Sequence, residues 1–185
     1  MRPQKILDQD LLAALSKVFR AKGYEGASLK DLAEETGLQK ASLYHRFPKG
    51  KKEMADSVLE HTDQWVLQNI FEELTNESLK PKIRLTKALT KIRTLYEGGK
   101  ETCVFRAFSM ESGLSLFEQS IKHGMNEWIN AFTVLGLAIE LSQEKAEEYA
   151  LQTLIDIQGS LIVAKGMGDL QVFENTLKKI ENRYS

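Results

Sequence analysis

The sequence predicts an all-α protein, and three observations carry that expectation. Apolar residues recur at spacings of three and four along most of the 185 residues, the pattern of a helix with one buried face. No stretch alternates apolar and polar residues as a half-buried strand does. Between Ser28 and Phe47, two short amphipathic stretches flank Gly37, which reads as a helix, a tight turn and a second helix.

The elements follow in order. Leu11, Leu12, Leu15, Val18 and Phe19 form the buried stripe of a first helix over about Asp8 to Lys22, closed by Gly23, with Tyr24 opening the connection. Leu29 to Glu35 and Lys40 to Arg46 are the two short helices, and Pro48-Lys49-Gly50 is a turn. A long helix is expected over about Lys51 to Leu74. Pro81 suits the first turn of the next, which extends to about Tyr96 and stops at Gly98-Gly99. Further helices are expected at about Thr102 to Glu111, ending near Gly113, and at about Leu116 to Leu141, with a bend at Gly124 or Gly136. Ser142 is a plausible N-cap for a helix reaching about Lys165. Gly166-Met167-Gly168 ends it, and Leu170 to Arg183 forms the last. The total is about nine helices.

Composition narrows the class. Hydrophobic residues make up 42% and charged residues 28%, which suits a globular chain of one large or two small domains. No run of eighteen apolar residues occurs, so no membrane span is expected. Met1-Arg2-Pro3-Gln4-Lys5 shows no signal-peptide apolar core. The single Cys103 cannot pair within the chain and suits a reducing cytoplasm, where the protein is expected to act.

Charge is unevenly spread. Residues 1–52 hold eleven Lys and Arg against six Asp and Glu, a net +5. The remainder holds fourteen against twenty, a net −6. A basic head on an acidic body points the head toward a polyanion. Within that head, Gln39, Lys40 and Ser42 sit at the start of the second short helix, where side chains can reach base edges in a major groove. Tyr44 and His45 can hold phosphates. Ser28 can cap the preceding helix near a phosphate, and Lys51 can meet the DNA backbone from the start of the fourth helix. Leu29, Leu32, Leu43 and Phe47 are assigned to core.

The order Ala33, Gly37, then Leu43-Tyr44-His45-Arg46-Phe47 resembles the DNA-binding half of the TetR family of bacterial repressors. Ser42, Tyr44 and His45 fall on that family's typical DNA-contacting positions, and Lys51 on the lysine after its Phe-Pro turn. Two departures stand out. The family usually carries Ser or Thr where Gln39 stands. Phe47-Pro48-Lys49-Gly50-Lys51 is one residue longer than the commonest spacing and looks like the branch of lincomycin-resistance repressors. Thr102 to Glu111 resembles a pocket-forming helix of that branch.

The resemblance implies a DNA-binding head at residues 1–52, a ligand-binding and dimerisation body at 53–185, and a shared fourth helix linking them. It implies a transcriptional regulator, a repressor released from a palindromic operator by a small apolar or aromatic ligand; an activator would use the same DNA contacts. Trp65, Tyr96, Phe105, Phe108, Met110 and Trp128 are the candidate ligand contacts, against the plain reading that each is core. Leu170, Phe173, Leu177, Ile180 and Tyr184 give the last helix one apolar face, and the helix before it is apolar on more than one side. These last two helices are the expected homodimer surface.

Other chemistry finds little support. His45, His61 and His123 lack zinc spacing. Gly166-x-Gly168 lacks the context of a dinucleotide loop. No Gly-x-Ser-x-Gly elbow or phosphate-binding loop occurs. No catalytic residue, metal or cofactor is therefore expected. The alternative function class is a helical small-molecule enzyme or carrier using the apolar body.

Overall fold

The computed structural model describes residues 8–110 and 112–185. Among them every regular element is helical: α1 (Asp8–Gly26), α2 (Leu29–Thr36), α3 (Lys40–Arg46), α4 (Lys51–Val66), α5 (Glu72–Thr75), α6 (Pro81–Leu95), α7 (Val104–Phe108), α8 (Ser112–Ala138), α9 (Gln143–Met167) and α10 (Gln171–Arg183). A π-helical turn, Leu67–Phe71, joins α4 to α5, so 51–75 is one uninterrupted helical run, as the sequence predicts. A 3-10 turn, Glu97–Gly99, follows α6. None of the described helices is long and apolar enough to cross a membrane.

Most boundaries lie where punctuation predicts them. Pro81 occupies the first turn of α6. The Ser142 hydroxyl accepts from the Lys145 amide at 3.3 Å and caps α9. Helical geometry in α1 breaks at Gly23 (φ 71°, ψ 174°), so Tyr24 begins a new turn. Two expectations are corrected. The helix expected over Thr102 to Glu111 is only Val104–Phe108, and Glu111 lies outside the described residues. The following helix starts at Ser112, so Gly113 lies inside α8. A Cβ there would stand 2.7 Å from the Phe108 carbonyl oxygen. This glycine permits a close helix approach where the sequence suggested a stop.

The chain forms two compact units. The first comprises the described residues up to Asp63 together with Val104–Ile121, and the second Gln64–Cys103 together with Lys122–Ser185. The first unit buries Leu11, Leu15, Phe19, Leu32, Leu43, Met54 and Val58, joined by Phe108 and Phe117 from the later segment. Phe108 lies 5.2 Å from Phe19 and 5.0 Å from Phe117 between ring centroids.

In the second unit, α6, α9 and α10 pack with the later part of α8. The apolar stripe of α10 is buried inside the chain: Phe173 and Ile180 are 0% exposed and Leu177 1%. Arg93 of α6 grips Glu174 of α10 with two guanidinium nitrogens at 2.8–3.0 Å, and this pairing holds the Glu174 carboxyl below its ordinary pKa. Arg183 bridges to Asp156 of α9 at 2.5 Å. The expectation that the α10 stripe awaits a partner subunit is thereby corrected, because α10 finds its cover in its own chain.

Candidate nucleic-acid interface

The helix-turn-helix is built by local chemistry. Ser28 caps α2 in a reciprocal box: its hydroxyl accepts from the Asp31 amide at 3.2 Å, and the Asp31 carboxylate accepts from the Ser28 amide at 3.0 Å. The Ser28 hydroxyl also donates to Asp31 at 2.7 Å, and Lys22 pairs with the same carboxylate at 2.5 Å. The Lys22 and Ser28 hydrogen bonds depress the Asp31 pKa well below the usual carboxylate range. α2 ends at Gly37, whose left-handed backbone (φ 65°, ψ 13°) returns its amide to the Glu34 carbonyl at 3.2 Å. A side chain there would be strained.

α3 then turns one face inward and one outward. Leu43 is fully buried and Phe47 is 9% exposed. Leu32, also core as expected, is fully buried, whereas Leu29 is half-buried. On the outer face Gln39, Lys40, Tyr44 and His45 are exposed, with Ser42 half-buried at its edge. Gln39 occupies the N-cap position but makes no side-chain cap bond, which leaves its amide free for another partner. Lys40 makes no ion pair with a described residue. Arg46 reaches back to Asp8 at 2.9 Å and ties α3 to the start of α1.

α4 begins beside this face. The Lys51 ammonium donates to the Tyr24 carbonyl at 2.9 Å and lies 4.5 Å from the centroid of the Tyr24 ring. Lys52 pairs with Asp56 at 2.7 Å and lies 5.3 Å from the Phe117 ring. Tyr24 itself is held edge-on by Phe117 at 5.1 Å. Burial and neighbouring Glu25 push its phenol pKa up. Sequence reasoning named Lys51 but missed Tyr24. The only available signal was its place directly after Gly23, where the backbone changes direction.

The ligand candidates divide between the two units. Phe105 (4% exposed), Phe108 (0%) and the exposed Met110 belong to the first. Trp65, Tyr96 and Trp128 belong to the second. Tyr96 meets Phe173 edge-on at 6.1 Å; Trp128 meets Phe71 edge-on at 5.4 Å and stacks on Phe132 at 6.3 Å. Phe108, Tyr96 and Trp128 thus do core work within their own units. Among the described residues no group of three or more His, Cys, Asp or Glu is arranged to hold a metal.

Residues 11–58 match the family described as "Bacterial regulatory proteins, tetR family". The HTH-type transcriptional regulator LmrA of Bacillus subtilis is 32% identical over 62 residues, 34% of this chain and 33% of that protein. The chain therefore spans about a third of the length of that curated relative. The fold is similar to that of a TetR transcriptional regulator from Legionella pneumophila, with a TM-score of 0.81 at 21% identity over 98% of both chains. It is also similar to CifR, a TetR family transcriptional regulator solved in complex with 26-bp double-strand operator DNA, with a TM-score of 0.75 at 19% identity over 99% of this chain and 98% of that one. Residues 11–58, which hold the helix-turn-helix, are thus similar to the DNA-binding part of the tetR family of bacterial regulatory proteins.

Proposed function

We propose that the protein is a DNA-binding transcriptional regulator whose α3 enters the major groove. The single observation that carries this reading is the outer face of α3, which presents Gln39, Lys40, Tyr44 and His45 to solvent on a helix fixed by Leu43, Phe47 and Arg46. Gln39 and Lys40 read bases, Ser42 lies at the edge of the contact, and Tyr44, His45 and Lys51 hold phosphates. The operator complex of CifR supports the same use of this fold.

The protein acts as a homodimer, so that two heads read a palindrome. The surface that supports this lies in the second unit. Leu151, Ile155, Ile162, Val163 and Met167 of α9 are 45–69% exposed along one face. Gly159 lies in that face with open space above it. An adjoining groove of about 500 Å³ is lined by Thr133, Val134, Leu137 and Leu151 among others. The Thr133 hydroxyl is buried there with no hydrogen-bond partner among the described residues. Exposed apolar side chains grouped in this way favour a second copy over water.

Repression relieved by a small apolar or aromatic effector, in the cytoplasm, rests on the family resemblance. The test begins with selection of duplexes from a random pool. The wild type should recover a palindrome. Gln39→Ala should relax one position of it by ~1–3 kcal/mol, and Lys40→Ala should weaken it. Failure to enrich any sequence would sink the DNA-binding reading. Addition of candidate aromatic ligands to the selected complex should quench Trp65 or Trp128 and release the duplex over the same concentration range. A tightly bound quencher that leaves the complex intact would remove the effector role alone.

A further inference from the structure

We propose that Tyr24 is a positioning residue for DNA binding: its ring and carbonyl hold the Lys51 ammonium in place for a phosphate. The inference rests on the DNA-binding reading and adds to it a residue that touches no DNA.

Lysine is a flexible point charge, and immobilising such a side chain on binding costs conformational entropy. Lys51 is half-buried, and the Tyr24 carbonyl accepts one of its three N–H donors at 2.9 Å. The face of the same ring lies 4.5 Å away, within reach of a cation–π attraction. The chain is therefore ordered before DNA arrives, and a donor remains for a phosphate oxygen. Its neighbour is different. Lys52 is already paired with Asp56 through both carboxylate oxygens at 2.7–2.9 Å, so its charge is locally compensated. Of the two lysines that open α4, Lys51 alone is presented without a carboxylate among the described contacts.

Tyr24 is itself fixed from three sides. Gly23, at φ 71°, turns the chain so that Tyr24 leaves the axis of α1. Phe117 meets its ring edge-on at 5.1 Å, Phe108 at 6.3 Å, and Phe19 stacks at 6.3 Å. Phe108 and Phe117 come from the segment Val104–Ile121, which packs into the same compact unit as the helix-turn-helix. A segment distant in sequence thus sets where the Lys51 charge stands.

The test uses the full-length chain and sonicated duplex DNA of mixed sequence, whose binding reports phosphate contacts without a known operator. Anisotropy titrations over a range of salt compare wild type, Tyr24→Phe, Tyr24→Leu, Lys51→Ala and the Tyr24→Leu/Lys51→Ala double variant. Lys51→Ala should lower the salt slope by about one unit. Tyr24→Phe keeps the ring and the carbonyl and should match wild type. Tyr24→Leu should weaken binding by about threefold to tenfold, with no further loss once Lys51 is Ala. An equal loss in both backgrounds, or none in either, overturns the proposal. A second readout guards against misfolding. In DNA-free wild type and in Tyr24→Phe, the Lys51 methylene protons beside the ammonium should show an upfield ring-current shift. Its absence from wild type overturns the proposal even if Tyr24→Leu fails to fold. Wild type that binds no duplex at low salt would defeat the DNA-binding reading, while the ring-current shift would still report on the Lys51–Tyr24 contact.

Discussion

Helices α9 and α10 are neighbours in the same unit, yet they dispose of their apolar residues in opposite ways. α10 has the cleaner stripe and buries Phe173, Leu177, Ile180 and Tyr184 against its own chain, leaving only Leu170, at its N-cap, exposed. α9 is apolar on two sides. Ala146, Ala150, Leu154, Ile157, Leu161 and Ala164 are buried, while Leu151, Ile155, Ile162, Val163 and Met167 remain in solvent. A single stripe needs one neighbour, and the fold supplies it. A helix with a second apolar side has more surface than its own chain can cover. The surplus, rather than the regularity of the pattern, points to a partner.

Substitution within the α10 stripe gives the largest expected effect. Leu177→Asp would bury a carboxylate in a site 1% exposed, at a cost of several kcal/mol. The expected outcome is loss of the cooperative thermal transition in circular dichroism, not a folded monomer. A folded variant that sediments as a monomer would show that α10 carries the interface after all, and would reverse the comparison.

The reciprocal substitution is made on α9. Ile155 and Ile162 are 52% and 56% exposed, so Ile155→Asp/Ile162→Asp costs the isolated chain little; surface changes usually lie within about 0.5 kcal/mol. In a dimer the same two carboxylates would face their own copies across an apolar contact. Sedimentation should therefore give a folded monomer with near-wild-type helicity. A variant that stays fully dimeric would move the interface off this face.

What the sequence made legible follows the same logic. The helix-turn-helix was readable because its determinants are local: the Ser28 cap lies three residues from Asp31, Gly37 sets the turn, and Leu43 and Phe47 sit four apart. The long helical run over 51–75 was readable from its uninterrupted pattern. The short α7 and the close approach of Gly113 to the Phe108 carbonyl were not, because a glycine read as a helix stop looks the same in sequence as one that lets a backbone come close. The aromatic residues of the body could be counted but not sorted. Nothing in their spacing says that Phe108 stands in one unit and Trp128 in the other. The role of Tyr24 is hidden in the sequence for the same reason, since its partners Lys51 and Phe117 lie on distant segments.

The smallest expected effect tests the buried end of α10 by pH. Tyr184 is 3% exposed and packs against Phe132 at 5.8 Å and Tyr149 at 5.9 Å, with its hydroxyl 3.4 Å from that of Thr153. Burial pushes its phenol pKa up to about 12, partly offset by the Thr153 hydrogen bond. A tyrosine is neutral when protonated, so a raised pKa means that the folded state favours the proton. The contribution to stability is complete below the unfolded value of 10.0 and is lost as pH rises from there toward 12. At pH 11 the loss should be about 1 kcal/mol. Tyr184→Phe cannot ionise, so its stability relative to wild type should rise by that amount between pH 9 and pH 11 (the ends of an assay range of about two units) in paired urea titrations. Parallel pH profiles for the two proteins would mean that water reaches the Tyr184 hydroxyl. The end of α10 would then be less fully covered by its own chain than the rest of its stripe, and the contrast with α9 would narrow there.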